Sequence, residues 1–322
     1  MRSEARLLPE LFLSRLRKII PSQKFDAVAN SFTDTKPTTF RINSLKTSRE
    51  LVHENLGRQG FHLAPISWYP DAFVLRGGRL RELEKTESYL KGEIYVQNLS
   101  SMIPPLVLDP KPREYILDLT AAPGSKTTQM ACLMKGEGTV LANESDRIRY
   151  EKLKANVELQ GASNVQVLLG YGESMGKKYP ERFDKVLLDA PCSAEGRFNA
   201  REPSSYRYWA MDKVKEIAKL QKKLFLSAVS ALKPGGILVY STCTFAPEEN
   251  EEVVNEALEK FSGQIEIETI NFSIPNKMMG LLAWEGEKFS PSIKKAIRIL
   301  PTSEMEGFFV VCLRKKSNRI KS

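Results

Sequence analysis

The sequence predicts an α/β fold: a doubly wound, largely parallel sheet with helices on both faces, preceded by a small α+β module. Three observations carry the prediction. From Tyr95 onward, short apolar runs alternate with helical patterns, as expected of βα units that cover a parallel sheet on both sides. Two of these runs, in VLLDAPCSAEGRF and ILVYSTCTFAPEENEE, each deliver a cysteine, Cys192 and Cys243, just past a strand end. A third, YILDLTAAPGSK at 115–126, closes in a small-residue turn around Gly124. Ligands of open α/β sheets bind outside the carboxyl ends of the strands, so these three loops should meet in one crevice.

Each element follows from local pattern. Residues 5–19 place Leu7, Leu8, Leu11, Leu16 and Ile19 at helical spacing among Arg and Glu, and Pro21 ends the run. A second short helical stretch follows, giving a helical extension over 1–36. TTFRINSLK at 38–46 reads as a strand, 48–60 as a helix, and FHLAPISWYPDAFVLRGG at 61–78 as two strands, which together make an α+β module over 37–100. Farther along, strands are expected near 115–119, 138–143, 165–169, 184–189 and 236–241, with helices starting near 126, 146, 212 and 247. LKPGGIL at 232–238 reads as a turn between a helix and its next strand. EGFFVVCLRKK reads as a final apolar strand closing a 101–316 domain, before a basic tail at 317–322.

Composition narrows the class. With 42% hydrophobic and 27% charged residues, the 322-residue chain is an ordinary globular one of two-domain size. A net charge of +9 favours a polyanionic partner. Charges interrupt the N-terminal apolar stretch and no run approaches the roughly 18 apolar residues of a membrane span, so neither membrane insertion nor secretion is expected. Four cysteines at unrelated spacings, without CxxC, predict neither a disulfide framework nor a metal site. A reducing cytoplasm, where free thiols serve as reagents, fits best.

In LDLTAAPGSKTTQMA, Ala121, Ala122, Gly124 and Ser125 permit close backbone approach to a ligand, and the following helix offers its N-terminal N–H groups. The glycines of neither GxGxxG nor a Walker P-loop are present, and a plain strand-to-helix turn is the alternative. Glu144 lies about 20 residues beyond Gly124, where a carboxylate accepts from both hydroxyls of a ribose. Helix capping, alongside Ser145 and Asp146, is its competing role. Cys132, inside a helix, and Cys312, inside the last strand, read as buried structural cysteines. Cys192 and Cys243 differ, because Pro191 and Thr242 place them in loops; a thiolate there can add to an electron-poor ring carbon while a second thiol moves protons.

LDLTAAPGSKTTQMA, VLLDAPCSAEGRF and YSTCTFAPEENEEVV resemble motifs one, four and six of the Sun/Nop-type RNA 5-methylcytosine methyltransferases. FRINSLK and YVQNLSSMIPPLVLDP extend the resemblance over nearly the whole chain. The N-terminal helices, ANE at 142–144 and RILPTSEMEGFFVVCLRK are most similar to the RsmF-type ribosomal RNA enzymes, with the archaeal tRNA enzymes close behind. The resemblance implies a Rossmann-like S-adenosylmethionine-dependent methyltransferase domain behind an RRM-like, RNA-binding module. It implies a monomer forming 5-methylcytosine, with ribosomal RNA the expected substrate and tRNA the alternative. The cofactor would be lined by Thr120, Ala121, Ala122, Pro123, Gly124, Ser125, Lys126, Glu144, Arg149, Tyr171 and Asp189. Cys243 matches the nucleophile, Cys192 the cysteine that helps release product, Asp189 a group reaching both cofactor and cytosine, and Lys126 a lysine close to the target base.

Three residues depart from the family pattern. Thr120 replaces a frequent cysteine, Ala194 replaces the glycine of DAPCSG, and Tyr171 stands where an aspartate contacts the adenine. Weakened but retained cofactor binding is therefore expected, with Tyr171 stacking on the base or Glu173 substituting. DNA cytosine methyltransferases take their nucleophile from the Pro-Cys loop, so the second thiol in the Thr-Cys loop favours RNA. Arg197, Arg201, Tyr206, Arg207, Tyr208 and Trp209 form a candidate RNA-facing segment, the alternative being an ordinary helix start with Trp209 packed inward. A weakly active RNA-binding assembly factor on the same fold is the rival reading, favoured by Tyr171 alone.

Overall fold

The computed structural model describes residue 4 and residues 7–274 and 276–317. Helix α1 (Glu10–Ile19) starts after Pro9, because a proline disfavours helical backbone in the residue before it, and residues 5 and 6 of the expected run lie outside the described residues. Helix α2 (Ser22–Ser31) begins after Pro21. Their apolar faces do not form a separate unit. Phe12 packs edge-on against Phe32 and Phe198, and Arg15 pairs with Glu248 at 2.6 Å, so both helices join the core of the larger domain.

The module follows as β1 (Thr39–Ile42), α3 (Arg49–Arg58), β2 (His62–Ile66), β3 (Tyr69–Gly77), two one-turn helices α4 (Leu80–Leu83) and α5 (Glu87–Leu90), and β4 (Ile94–Val96). The sheet order β2-β3-β1-β4, antiparallel throughout, is the split βαβ plan of an RRM-like module. Phe40, Ile42, Phe73 and Leu75 bury one sheet face together with Val52 and Leu56 of α3. The expected strand at 38–46 is cut to four residues because Asn43 turns the chain, donating to the carbonyls of Gly92 and Gln160.

The larger domain opens with α6 (Leu99–Leu108), a helix absent from the sequence reading because Pro104 and Pro105 lie inside it. The Ser101 carbonyl, left without its helical donor by Pro105, accepts instead from Gln97 Nε2 at 3.1 Å. Then come β5 (Tyr115–Asp118), α7 (Ser125–Leu133), β6 (Thr139–Glu144), α8 (Arg147–Leu159), β7 (Val165–Leu169), α9 (Met175–Lys178), β8 (Phe183–Asp189), α10 (Met211–Ala231) and β9 (Leu232–Thr242). The remainder is α11 (Glu251–Lys260), β10 (Ile265–Glu268), β11 (Lys277–Met279), a hairpin of β12 (Ala283–Trp284) and β13 (Glu287–Lys288), β14 (Ile297–Ile299) and β15 (Phe308–Lys315).

Strand order is β11-β14-β15-β9-β8-β5-β6-β7, with β10 also on β15. Strands β7, β6, β5, β8 and β9 are parallel, as expected; β15 and its neighbours are antiparallel. Alternate strand residues serve opposite faces. Ile116, Val140, Leu187 and Val239 pack under α6 and α7, whereas Leu117, Leu141, Leu188 and Tyr240 pack under α10 and α11. LKPGGIL is no free turn: it enters β9 irregularly, with Phe183 opposite Leu232 and Lys185 already opposite Ile237. The helix expected from 247 starts at Glu251, after a 3-10 turn at Pro247–Glu249. Most of the basic tail, 318–322, lies outside the described residues. Among the described residues no helix is long and apolar enough to cross a membrane, and no cluster of His, Cys, Asp and Glu is suited to a metal.

Candidate active site

From β5 the chain moves outward in one direction to β6 and β7, then returns to the other side of β5 for β8 and β9. The sheet therefore has its switch point between β5 and β8, where the strand ends part into a crevice. A cavity of about 800 Å³ opens there. It is lined by Thr120, Ala121, Ala122, Pro123, Ser125, Lys126, Glu144, Arg149, Tyr171, Asp189, Cys192 and Cys243, so residues from five separate segments meet as expected.

Gly124 is the exception. It does not line the cavity but turns the chain into α7 at φ +106°, and a Cβ on it would stand 3.0 Å from Leu153 Cδ1. Its glycine serves the turn and the packing of α8, while Ala121 and Ala122 form the small-residue wall. The first turn of α7 is held from outside by Arg41 of β1. That fully buried guanidinium donates to the Ser125 carbonyl at 3.0 Å and to Thr128 Oγ1 at 2.7 Å. The RRM-like module is thereby joined to the wall of the cleft.

At the end of β6, Glu144 Oε1 accepts from the backbone N–H groups of Ser145 and Asp146 at 2.8 and 3.0 Å. Asp146, not Glu144, caps α8. Glu144 Oε2 is buried without a hydrogen-bond donor, with Arg149 Nη2 at 3.5 Å, and this orphaned acceptor fits a carboxylate that takes ribose hydroxyls. Arg149 also donates to the Ala122 carbonyl at 2.7 Å, closing this corner. Tyr171, beyond β7, is 73% exposed at the rim, with Glu173 beside it on the cavity wall.

Deeper in, Lys126 Nζ lies 2.6 Å from Asp189 Oδ2 and donates to Ser101 Oγ at 2.7 Å. Ser241 donates to Asp189 Oδ1 at 2.8 Å, and Thr120 to the Asp189 carbonyl at 2.8 Å. Asp189 is thus fixed through both side-chain oxygens at the mouth of β8. Next to it Cys192 and Cys243, both free thiols, bring their sulfurs to 3.2 Å, and the Cys243 N–H donates to the Cys192 sulfur at 3.3 Å. The Cys243 thiol and burial push the Cys192 thiol well above its ordinary range. The other two cysteines are buried elsewhere, as expected. Cys132 donates to Asn43 Oδ1, and burial pushes Cys312 up to about 11.

The candidate RNA-facing segment divides. Trp209 packs on Phe12 and Phe198 and donates to Glu195 at 2.9 Å, so the inward packing holds for it, and Tyr206 leans on Phe198. Arg207 lies over the ring of exposed Tyr208 at 4.5 Å, and Arg197 lines the cavity while pairing with Glu306 at 3.5 Å. Sequence reasoning missed Asp118, Ser101, Glu306 and Phe308 on the wall. Asp118 carried a readable signal, an acidic residue at the end of the first strand; burial raises it to about 7. The others come from distant elements with no local pattern.

A switch-point cleft, a small-residue turn running into a helix and an acidic residue at the end of the next strand define a Rossmann-like S-adenosylmethionine-dependent methyltransferase. The family model of the 16S rRNA methyltransferase RsmB/F matches residues 105–314, and that of the N-terminal domain of 16S rRNA methyltransferase RsmF matches residues 8–99. The chain belongs to the RsmB/F family of RNA cytosine-C5 methyltransferases. It is 39% identical to the tRNA (cytosine(49)-C(5))-methyltransferase of Pyrococcus abyssi, covering 98% of both chains. It is 36% identical to the ribosomal RNA small subunit methyltransferase F of Vibrio campbellii over 96% of this chain, but it spans only 63% of that protein's length. The crystal structure of a methyltransferase homolog from Pyrococcus horikoshii superposes with a TM-score of 0.84 at 33% identity, covering 98% of this chain and 100% of that one.

Proposed function

We propose that this chain transfers the methyl group of S-adenosylmethionine to carbon 5 of a cytosine in RNA, with Cys243 as nucleophile. The observation that carries the reading is the pair of sulfurs 3.2 Å apart beside a fixed carboxylate in the cleft. Glu144, Arg149, Tyr171 and the Thr120–Lys126 turn would hold the cofactor, which supplies an electrophilic methyl on a sulfonium.

Carbon 5 of cytosine is too weak a nucleophile to take a methyl group unaided. Addition of the Cys243 thiolate at carbon 6 moves an electron pair toward carbon 5, and Asp189, held by Lys126 and Ser241, is placed to hydrogen-bond the base as charge shifts. Once methylated, carbon 5 must lose its proton before the carbon–sulfur bond breaks, and Cys192, whose sulfur lies beside that of Cys243, is the candidate helper in that release. Reaching the pocket requires a base taken out of its stack or lying in a loop. Phosphate contacts are assigned to the RRM-like module and the basic tail, and the protein is taken to act as a monomer.

Ribosomal RNA is the substrate supported by both family models and the Vibrio relatives. Transfer RNA is a second reading, favoured by end-to-end coverage of the Pyrococcus abyssi enzyme. Transfer of labelled methyl into separated small-subunit rRNA, large-subunit rRNA and tRNA, with Cys243→Ala as control, tests the reaction and chooses between them. Label in one fraction that vanishes in the variant is the expected outcome. Equal label with and without Cys243 refutes the nucleophile, and cofactor binding without label in any fraction favours the assembly-factor reading.

A further inference from the structure

Beneath the Cys192 loop lies a carboxylate that the reaction above does not use. Glu249, in the 3-10 turn after β9, is fully buried, and its Oε2 accepts from the Ser193 N–H and from Gln221 Nε2, each at 2.9 Å. The same Gln221 nitrogen donates to the Pro191 carbonyl at 2.8 Å, so both flanks of Cys192 are tied to one acid. Tyr240 donates to the Glu249 carbonyl at 2.5 Å and fixes the turn itself. Glu249 Oε1 has no hydrogen-bond partner.

The groups facing Cys192 and Glu249 are Cys243 just past β9, Arg197 and the buried Glu195 on the 3-10 turn Glu195–Arg197 after Cys192, Tyr240 within β9, and Asp189 of β8 paired with Lys126 of α7. Asp189 has a cation in contact; Glu249 has only neutral donors. We propose that Glu249 is a positioning residue for the Cys192 loop: it anchors that loop and repels negative charge from its sulfur, so that Cys192 is held as the neutral thiol beside Cys243. The inference rests on Cys243 being the nucleophile. Burial pushes Glu249 up to about 7, so its charge is in place at pH 8 and largely absent at pH 6.

Limited alkylation with iodoacetamide, read on the separate Cys192 and Cys243 peptides by mass spectrometry, tests this without RNA. At pH 8, Glu249→Gln should raise the Cys192 rate several-fold, because the thiolate fraction rises as the repelling charge is removed, while Glu249→Asp keeps it within roughly two-fold of wild type. At pH 6 Glu249→Gln and wild type should agree. In the wild-type protein, the logarithm of the Cys192 rate should flatten as pH crosses 7, a readout that needs no variant to fold. A rise equal at both pH values would mean mere loosening of the loop, and that result, an unchanged rate, or a straight wild-type profile overturns the proposal. None of these outcomes depends on methyl transfer, so a failure here leaves the Cys243 reading to its own assay.

Discussion

Replacing Ala194 with glycine should stabilise the protein, and the size of the gain follows from its backbone. Ala194 stands two residues beyond Cys192 at φ 58° and ψ 27°, the left-handed region. An L-residue pays roughly 1–2 kcal/mol there, whereas glycine adopts it freely. Against this, glycine loses about 0.5–1 kcal/mol more conformational entropy on folding, so Ala194→Gly should gain about 0.5–1 kcal/mol. Unfolding entropy near 2.1 cal/mol/K per residue sums to about 0.7 kcal/mol/K for a chain of this size, which turns the gain into a rise of about 1 °C in Tm. Scanning calorimetry of the two proteins side by side resolves such a difference. Gly124→Ala is the matching control, because φ +106° and the contact with Leu153 should lower Tm by several times that amount. A lower Tm for Ala194→Gly, with Gly124→Ala falling as expected, would refute the reasoning from backbone strain.

Other expectations can be checked separately. Cys192→Ala should accumulate a covalent RNA adduct, visible as a shifted band on a denaturing gel, and Cys243→Ala should not; equal trapping by both would reverse or abolish the assignment. Tyr171→Asp should tighten S-adenosylmethionine binding roughly ten-fold in calorimetry, the worth of about 1.5 kcal/mol for a charged hydrogen bond, while wild type retains measurable binding. Arg298→Met strands the fully buried Glu251, to which Arg298 donates through Nε at 2.7 Å, and should cost about 3–5 kcal/mol in denaturant unfolding, most of it recovered in Arg298→Met/Glu251→Leu. Asp118 has its folded pKa raised from 3.8 to about 7, so its carboxyl binds more protons folded than unfolded, and its contribution to stability is lost as pH rises from about 4 through 7. Relative to Asp118→Asn, the wild-type protein should therefore lose Tm across that window; a gap independent of pH would show that Asp118 keeps its ordinary titration.

Sequence alone disclosed much of this site because its chemistry sits on regular punctuation. Apolar runs followed by Asp-Ala-Pro-Cys, Ser-Thr-Cys and Thr-Ala-Ala-Pro-Gly mark strand ends, and strand ends in a parallel sheet share one rim. What stayed hidden came from contacts with no local signature. Pro104 and Pro105 disguised α6, whose lost donor is replaced by a side chain from outside the helix. Short antiparallel strands such as β11 and β14 have too few residues to show a period. For Trp209, beside Arg207 and Tyr208, local pattern left an RNA-facing and an inward-packed reading open, and α1, some 200 residues away in sequence, decides between them by supplying Phe12 as its packing partner. Gly124 shows how one residue answers to two demands: its permissive backbone invites a ligand, and the structure also uses it for a left-handed turn packed beside Leu153.

Strand β15 pairs with β9 from Phe309 opposite Thr242 to Arg314 opposite Ile237, alongside the strand that leads into Cys243. A nascent chain thus makes both thiols long before it makes the strand that covers the open edge beside them. Until residues 308–315 leave the ribosome, β9 presents an edge of unpaired backbone beside the Cys243 loop. Completion of this side of the cleft is therefore timed by the arrival of a late, distant strand.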